Sequence, residues 1–235
     1  MTQKIEKVDF DEFATDYDKA LQQGLSVSGE SKDFFAVGRV TWLKDRLAQS
    51  NLTPRRILDF GCGTGTATPS LLDLPGCEQI VGVDVSAGSV DVARKTYGRP
   101  NVRFALPDEL DEPGTFDLAF CNGVFHHIPL EHRAGAVASV FRWLRPGGLF
   151  ALWENNPLNP GTRYVMWKIP FDRDAITLRS GQTRSLVRAG GFEPLHTDFQ
   201  FIFPRSLKFL RGLEKPLSGL PLGAQYMVLS RKPGT

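Results

Sequence analysis

The residues best suited to chemistry fall into two groups. The first is Asp59-Phe60-Gly61-Cys62-Gly63-Thr64-Gly65-Thr66, where three alternating glycines follow the apolar run Ile57-Leu58. Glycines let a backbone approach a ligand closely, and the start of a following helix offers unpaired N–H groups. Asp84 comes 19 residues after Gly65, at the end of Val81-Gly82-Val83. A carboxylate at that place suits a ribose diol, so the pair describes a site for an adenosine-containing cofactor. A dinucleotide fingerprint would put its last glycine where this chain has Thr66. Asp59 also precedes the loop, and a carboxylate repels a pyrophosphate but attracts the ammonium group of a methionine moiety. That contrast argues against NAD.

The second group is His126, His127 and Glu154. Imidazole transfers protons near neutrality, and a carboxylate can orient a hydroxyl or an amine. Adjacent residues at a strand end point in different directions, so one histidine at most is expected to face an acceptor, with His126 favoured. His126 or Glu154 is the candidate general base. Each has a plainer reading, His126 and His127 as packing histidines and Glu154 as a cap on the Asn155-Asn156 turn. Metal ligands need a recognisable clustered spacing. His126 and His127 with Glu131 and His132 suggest one, but adjacent histidines rarely chelate together, and no metal is expected. His132 and His196 read as structural.

These residues need a scaffold, and the chain between Arg55 and Trp153 supplies its pattern. Short apolar runs alternate with helical stretches, the signature of parallel βαβ units. Strands are expected at 56–59, 80–84, 102–104, 116–121 and 149–153. Their near-continuous apolar character suits a sheet covered on both faces. Val137, Val140, Phe141 and Leu144 mark a crossover helix that Pro146-Gly147-Gly148 should end. Upstream, Ala36, Val40, Leu43 and Leu47 share one helix face. Downstream, 155–161 reads as a loop, 183–189 as a short helix and 195–203 and 225–230 as strands.

Together the motifs resemble those of class I S-adenosylmethionine-dependent methyltransferases. Asp59-x-Gly61-x-Gly63-x-Gly65 followed by Asp84 is similar to their first two cofactor motifs. Phe116 to Ile128 resembles their fourth-strand motif, and Leu144-Arg145-Pro146-Gly147-Gly148 the turn before their fifth strand. The resemblance implies a Rossmann-like, doubly wound α/β fold: a mostly parallel seven-stranded sheet with an antiparallel last strand and an N-terminal helical lid. It implies one catalytic domain over 1–235, with a lid at 1–53, a cofactor-binding core at 54–153 and acceptor-side loops and last strands at 154–235. Its cofactor would be S-adenosylmethionine. Gly61, Cys62, Gly63 and Gly65 would then shape the loop around the methionine part, with Asp59 near its ammonium. Asp84 would bind the ribose, Val85 would lie against adenine, and Asn122 would face the methionyl end. The third-strand loop, Phe104-Ala105-Leu106-Pro107-Asp108, departs from the family in lacking an acid directly after the strand. Phe10 to Asp18 resembles the lid of small-molecule methyltransferases, quinone-biosynthesis ones included, which would let Tyr17 cover the cofactor; an ordinary helix face fits the same spacing. The stretches around Glu154, Pro170-Phe171-Asp172-Arg173-Asp174 and Leu220 to Tyr226 are similar to bacterial methyltransferases associated with surface polysaccharides, with no chemistry attached.

Composition narrows the acceptor only by exclusion. With 28 Lys and Arg against 26 Asp and Glu the net charge is +2, so nothing speaks for nucleic acid. The polar N-terminus lacks a signal-peptide core and no apolar run reaches membrane-spanning length. Three cysteines without metal-type spacing suit the cytoplasm. A small-molecule or glycan acceptor is expected. The alternatives are a cofactor-binding regulatory or scaffold protein and, third, an RNA methyltransferase. The basic-aromatic stretch Phe201 to Arg211 reads as an amphipathic cap helix packed on the sheet.

Overall fold

The structure, a computed structural model, describes residues 28–173 and 175–234. Strands β1 (Arg56–Phe60), β2 (Gln79–Val83), β3 (Val102–Ala105), β4 (Phe116–Asn122), β5 (Leu144–Asn155), β6 (Glu193–Gln200) and β7 (Gln225–Arg231) form one sheet in the order β3-β2-β1-β4-β5-β7-β6. β1–β5 pair in parallel, and β7 is antiparallel to both β5 and β6, so six of these strands share one direction and β7 runs against them. This is the expected Rossmann-like architecture, and it puts the C-terminal ends of β1 and β4 side by side at the sheet's order reversal. Ligands of open α/β sheets bind at such a place.

Both faces are covered, which explains why the strands read as unbroken apolar runs. Alternation still sorts their side chains. On β5, Phe150 and Leu152 join Val137, Val140 and Trp143 on one face, while Leu149, Ala151 and Trp153 join Val40, Leu43 and Leu47 on the other. Helix α1 (Lys32–Gln49) covers the second face; Ser31 caps it by accepting the Phe34 N–H, and Phe35 rather than Ala36 begins its buried stripe. A buried ion pair fastens α1 to the far strand: the Arg46 guanidinium meets both Asp198 oxygens on β6 at 2.8 and 2.6 Å, and the Trp42 indole N–H donates to the same carboxylate at 3.0 Å. Helices α2 (Thr68–Leu72) and α3 (Ala87–Tyr97) follow β1 and β2, and α4 (Leu130–Trp143) follows β4.

Several boundaries differ from the expectation for local reasons. Helix α4 ends at Trp143, and β5 starts at Leu144 rather than Leu149, pairing Leu144 with Phe116 before a register shift restores Leu118 against Leu149. Pro146-Gly147-Gly148 is thus an irregularity inside the strand and not the helix stop. β6 ends at Gln200 because Phe201 takes a left-handed φ of +59°. The expected loop at 155–161 hides the start of helix α5 (Pro160–Lys168): Asn159 accepts the Thr162 N–H and Pro160 fills the first turn, a start signal present in the sequence. Helix α6 (Ser180–Ala189) begins three residues early. The basic-aromatic stretch is a 3₁₀ run, Arg205–Leu213, with no buried residue and Phe209 77% exposed. It does not pack on the sheet as an amphipathic helix, although Phe201 just before it stacks edge-on against Phe34 and Phe35.

Candidate active site

The glycine loop is strapped to its neighbour strand, with Gly61 and Cys62 N–H groups both donating to the Val83 carbonyl at 2.8 and 3.1 Å. Gly63 sits at φ +51°, and nothing lies within 4 Å of where its Cβ would be. That open side belongs to a cavity of about 420 Å³ whose wall includes Asp59, Gly61, Cys62, Gly63 and Asn122. Gly65 has a different reason to be glycine: a Cβ there would meet Tyr97, Phe104 and Ala93 at 2.9 to 3.2 Å, so it permits close packing of the loop on α3 and β3. The Asp84 carboxylate accepts the Gly63 N–H at 2.8 Å and the Ser86 N–H at 3.0 Å, tying loop, strand end and the start of α3 together. Val85 beside it is 76% exposed.

Strand alternation aims Asp59 and Asn122 at the same face, because Asp59 pairs with Phe120 and Asn122 lies two residues on. Asp59 Oδ2 and Asn122 Oδ1 are buried without a hydrogen-bond partner among the described residues. Leaving an acceptor unpaired costs about 1–3 kcal/mol, more for a charge. Burial, with the Asp84 charge adding to it, pushes the Asp59 carboxyl up to about 7. The Arg39 charge on the cavity wall only partly offsets this, and both atoms still want a donor from the cavity side.

At the other end of the cavity, β4 gives way to a tight turn carrying Phe125, His126 and His127. Alternation along β5 puts Glu154 on the face of Phe150 and Leu152, beneath this turn. Its Oε1 accepts the Phe125 N–H at 2.7 Å and its Oε2 lies 2.6 Å from His126 Nδ1. From the segment after α5, Asp172 Oδ1 approaches His127 Nε2 at 3.1 Å and His126 Nε2 at 3.5 Å. Arg133 on α4 holds the two segments together, its guanidinium donating to the Ile128 and Ile176 carbonyls at 2.9 and 2.6 Å. The cluster is deeply placed, with His126 3%, Glu154 0% and Asp172 7% exposed.

The charges follow from this packing. Burial disfavours the His126 imidazolium, but the Glu154 carboxylate and then Asp172 outweigh it and raise that histidine to about 10. Burial wins at His127, which is held below the ordinary histidine value despite Asp172. Burial opposes ionisation of Asp172, yet its hydrogen bonds to both histidines lower it to about 2.

The structure thus brings Asp59, Gly61, Cys62, Gly63, Asn122 and His126 of the expected residues to one cavity, together with His127. Glu154 touches His126 but is no part of the wall, and Gly65, Asp84 and Val85 also lie outside it. Tyr17 falls outside the described residues. Glu131 and His132, the only partners weighed for a metal, are exposed on α4. In the third-strand loop Asp108 is exposed, while the Glu109 carboxylate accepts the Leu106 N–H and pairs with Arg94. Sequence reasoning missed Asp172 and Arg133. Asp172 stood in a stretch noticed only for its likeness to other bacterial proteins, and no spacing links it to residues 45 positions earlier.

Comparison with known proteins agrees with the fold. A family model described as a methyltransferase domain matches residues 57–148. A trans-aconitate 2-methyltransferase from Acidovorax sp. is 28% identical over 181 residues, 70% of this chain and 69% of that one. A ubiquinone biosynthesis O-methyltransferase from Bordetella pertussis is 26% identical over 66% of this chain and 68% of its own. A carboxy-S-adenosyl-L-methionine synthase from Alteromonas mediterranea is 30% identical over 69% and 68% respectively. A longer, uncharacterized Synechococcus protein, 33% identical over 142 residues, is spanned over only 32% of its length. In fold, a methyltransferase bound to the Haloferax volcanii activator Trm112 superposes with a TM-score of 0.64 at 18% identity, covering 98% of this chain and 100% of that one. The chain belongs to the class I S-adenosylmethionine-dependent methyltransferases. It is an enzyme of that family, and S-adenosylmethionine is its cofactor. The residues present fit that cofactor, since the unpaired Asp59 and Asn122 oxygens ask for the donors of an ammonium group and the open side of Gly63 gives room for it. Among the described residues no helix is long and apolar enough to cross a membrane.

Proposed function

We propose that the protein methylates an oxygen of a small molecule held between Asn122 and the His126–His127–Asp172 cluster. The observation that carries this reading is a single cavity running from the glycine loop to the histidines. When bound, S-adenosylmethionine supplies an already activated methyl group, so the protein has to align the acceptor and exclude water. Alignment of this kind is worth about 7–11 kcal/mol. Asp59 and Asn122 hold the methionine end and Asp84 holds the ribose. The named relatives lend support, as two of them methylate small molecules by their descriptions. The whole chain acts as one catalytic unit, working in the cytoplasm with its free cysteines.

A hydroxyl acceptor must lose its proton as it attacks. Both oxygens of Glu154 are engaged by Phe125 and His126, so Glu154 serves as a positioning residue. His126 stays protonated between two carboxylates at neutral pH and orients rather than accepts. His127, which burial keeps neutral, is the ring able to take the proton, with the Asp172 carboxylate stabilising the imidazolium that results.

The test is methyl transfer to a panel of hydroxy and carboxy compounds, read by mass. His127→Ala should lower turnover by about 10²–10⁴-fold and leave S-adenosylmethionine affinity within a factor of about 2. Unchanged turnover would remove the cluster from the reaction, and methylation confined to large glycans or RNA would overturn the acceptor class.

A further inference from the structure

The histidine cluster has a geometry that proton transfer does not require. One ligand atom each from His126, His127 and Asp172 lies within 4.8 Å of the other two. The Nε2 atoms of the two histidines stand 3.5 and 3.1 Å from the same Asp172 oxygen. Around an ion with bonds of about 2.0–2.1 Å, neighbouring ligands sit about 2.9–3.4 Å apart. The 3.5 Å separation is long for a charged hydrogen bond but close to the edge of a tetrahedral coordination shell. Glu154 completes the pattern. By taking the Nδ1 side of His126 at 2.6 Å, it leaves Nε2 turned toward Asp172, free to ligate once an ion displaces its proton. A carboxylate that orients a ligating histidine in this way is the usual outer support of a metal centre. Finally, Glu154 and Asp172 are two buried carboxylates whose ion-pair partners among the described residues are histidines alone. The single imidazolium charge of His126 balances only one of them, and a divalent ion that replaced its proton would balance both.

We infer that His126 Nε2, His127 Nε2 and an Asp172 carboxylate oxygen form a binding site for a divalent transition-metal ion, with its open positions facing the acceptor cavity. Two imidazoles and one carboxylate suit zinc, manganese, iron or cobalt better than magnesium or calcium, which prefer all-oxygen shells. All three ligands belong to the cavity wall, so an acceptor oxygen can complete the coordination. This rests on the small-molecule oxygen acceptor of the proposed function and replaces its proton acceptor. The acceptor is then a hydroxyl compound, best one with a second oxygen beside the first to chelate. The metal lowers the pKa of the bound hydroxyl, as it does for bound water, and the proton leaves to solvent. The oxygen then forms its bond to the methyl carbon while the carbon–sulfur bond breaks and its electron pair stays on sulfur, giving a methyl ether and a neutral thioether. With the ion bound, His127 is a ligand and its place as proton acceptor passes to solvent.

The experiment is a calorimetric titration of the chelator-treated full chain with Zn²⁺ and Mn²⁺, with Co²⁺ absorption as a second readout of coordination. One ion should bind per chain. Asp172→Asn and His127→Ala should weaken it at least tenfold, Glu154→Gln about 10–100-fold, and His132→Ala not at all. S-adenosylmethionine binding to each variant reports whether the fold survives. Failure of any ion to bind wild-type protein, or equal weakening by His132→Ala, would overturn the site. If the chelated protein binds no metal yet methylates a small-molecule hydroxyl at full rate, the inference falls and the proposed function stands. If it binds one ion at these ligands but methylates only macromolecules, the site stands and the proposed acceptor class falls.

Discussion

The two ends of the cavity are built in opposite ways. The glycine-loop end, which we propose holds the cofactor, comes mainly from neighbouring residues: Asp59 to Thr66 are contiguous, Asp84 caps the adjacent strand, and only Asn122 comes from β4. The histidine end, which we propose faces the acceptor, is assembled from the turn after β4, the last residues of β5, the segment after α5, and Arg133 on α4 as a fastener. A contiguous loop has its shape written into local backbone chemistry. An assembled site has its shape only when distant segments are held in place, so its weak points lie outside the cavity.

That contrast can be broken most decisively at Asp198, remote from both ends. Removing one partner of a fully buried ion pair costs about 3–5 kcal/mol, and less is expected here because Arg46 is part-exposed and also bonds Gln49. Asp198→Ala leaves Arg46 and Trp42 without their acceptor and should lower the urea midpoint by a corresponding amount. Because α1 bears Phe35 and Arg39 in the cavity wall, acceptor KM should also rise. A stable variant with unaltered KM would mean that α1 is held by packing alone.

A smaller effect is expected at the contiguous end. Asp84→Ala deletes charge-assisted bonds to the Gly63 and Ser86 N–H groups, each worth about 1.5–3 kcal/mol. S-adenosylmethionine affinity should fall by about 10–100-fold, with the acceptor cluster intact. Calorimetry showing unchanged affinity would dissociate Asp84 from the cofactor.

The smallest expected effect is on the pH dependence of metal-free protein. His126 is raised from 6.5 to about 10 on folding, so its contribution is fully present below pH 6.5 and is lost as pH rises toward 10. Asp172 is depressed from 3.8 to about 2, so its contribution is present above pH 3.8 and is lost as pH falls toward 2. Urea midpoints should decline on both sides of a plateau between about pH 3.8 and 6.5. His126→Gln should flatten the alkaline limb; an unaltered limb would show that another group controls it.

What could be read in advance follows the same division. The glycine loop, Asp84 and the parallel strands were legible because each depends on short-range pattern: alternate glycines, an acid at a strand end, apolar runs of strand length. Asn122 was placed on the strength of family motifs. The role of Asp172 was not legible, since no periodicity ties it to His127. Helix α5 was overlooked although Asn159-Pro160 marks its start, because the surrounding asparagines and prolines also suit a turn. The histidine pair was judged against partners close in sequence, Glu131 and His132, whereas the fold supplies one from beyond α5. The 3₁₀ run at 205–213 misled because its alternating basic and apolar residues suit an amphipathic helix, yet Phe209 stays in solvent.

The position of β7 between β5 and β6 has a consequence for how the molecule is made. During synthesis β6 emerges before β7, the strand it pairs with among the described residues, so its ladder and the Asp198 clasp on α1 wait for residues 225–231. These are contacts of long sequence separation, whose closure entropy must be met before they stabilise anything. The β1–β5 region can pair strand by strand as it appears, whereas the far edge and the fastening of α1 arrive late and together. Ribosome-bound chains lacking β7 should therefore carry a formed parallel sheet and an unsecured first helix.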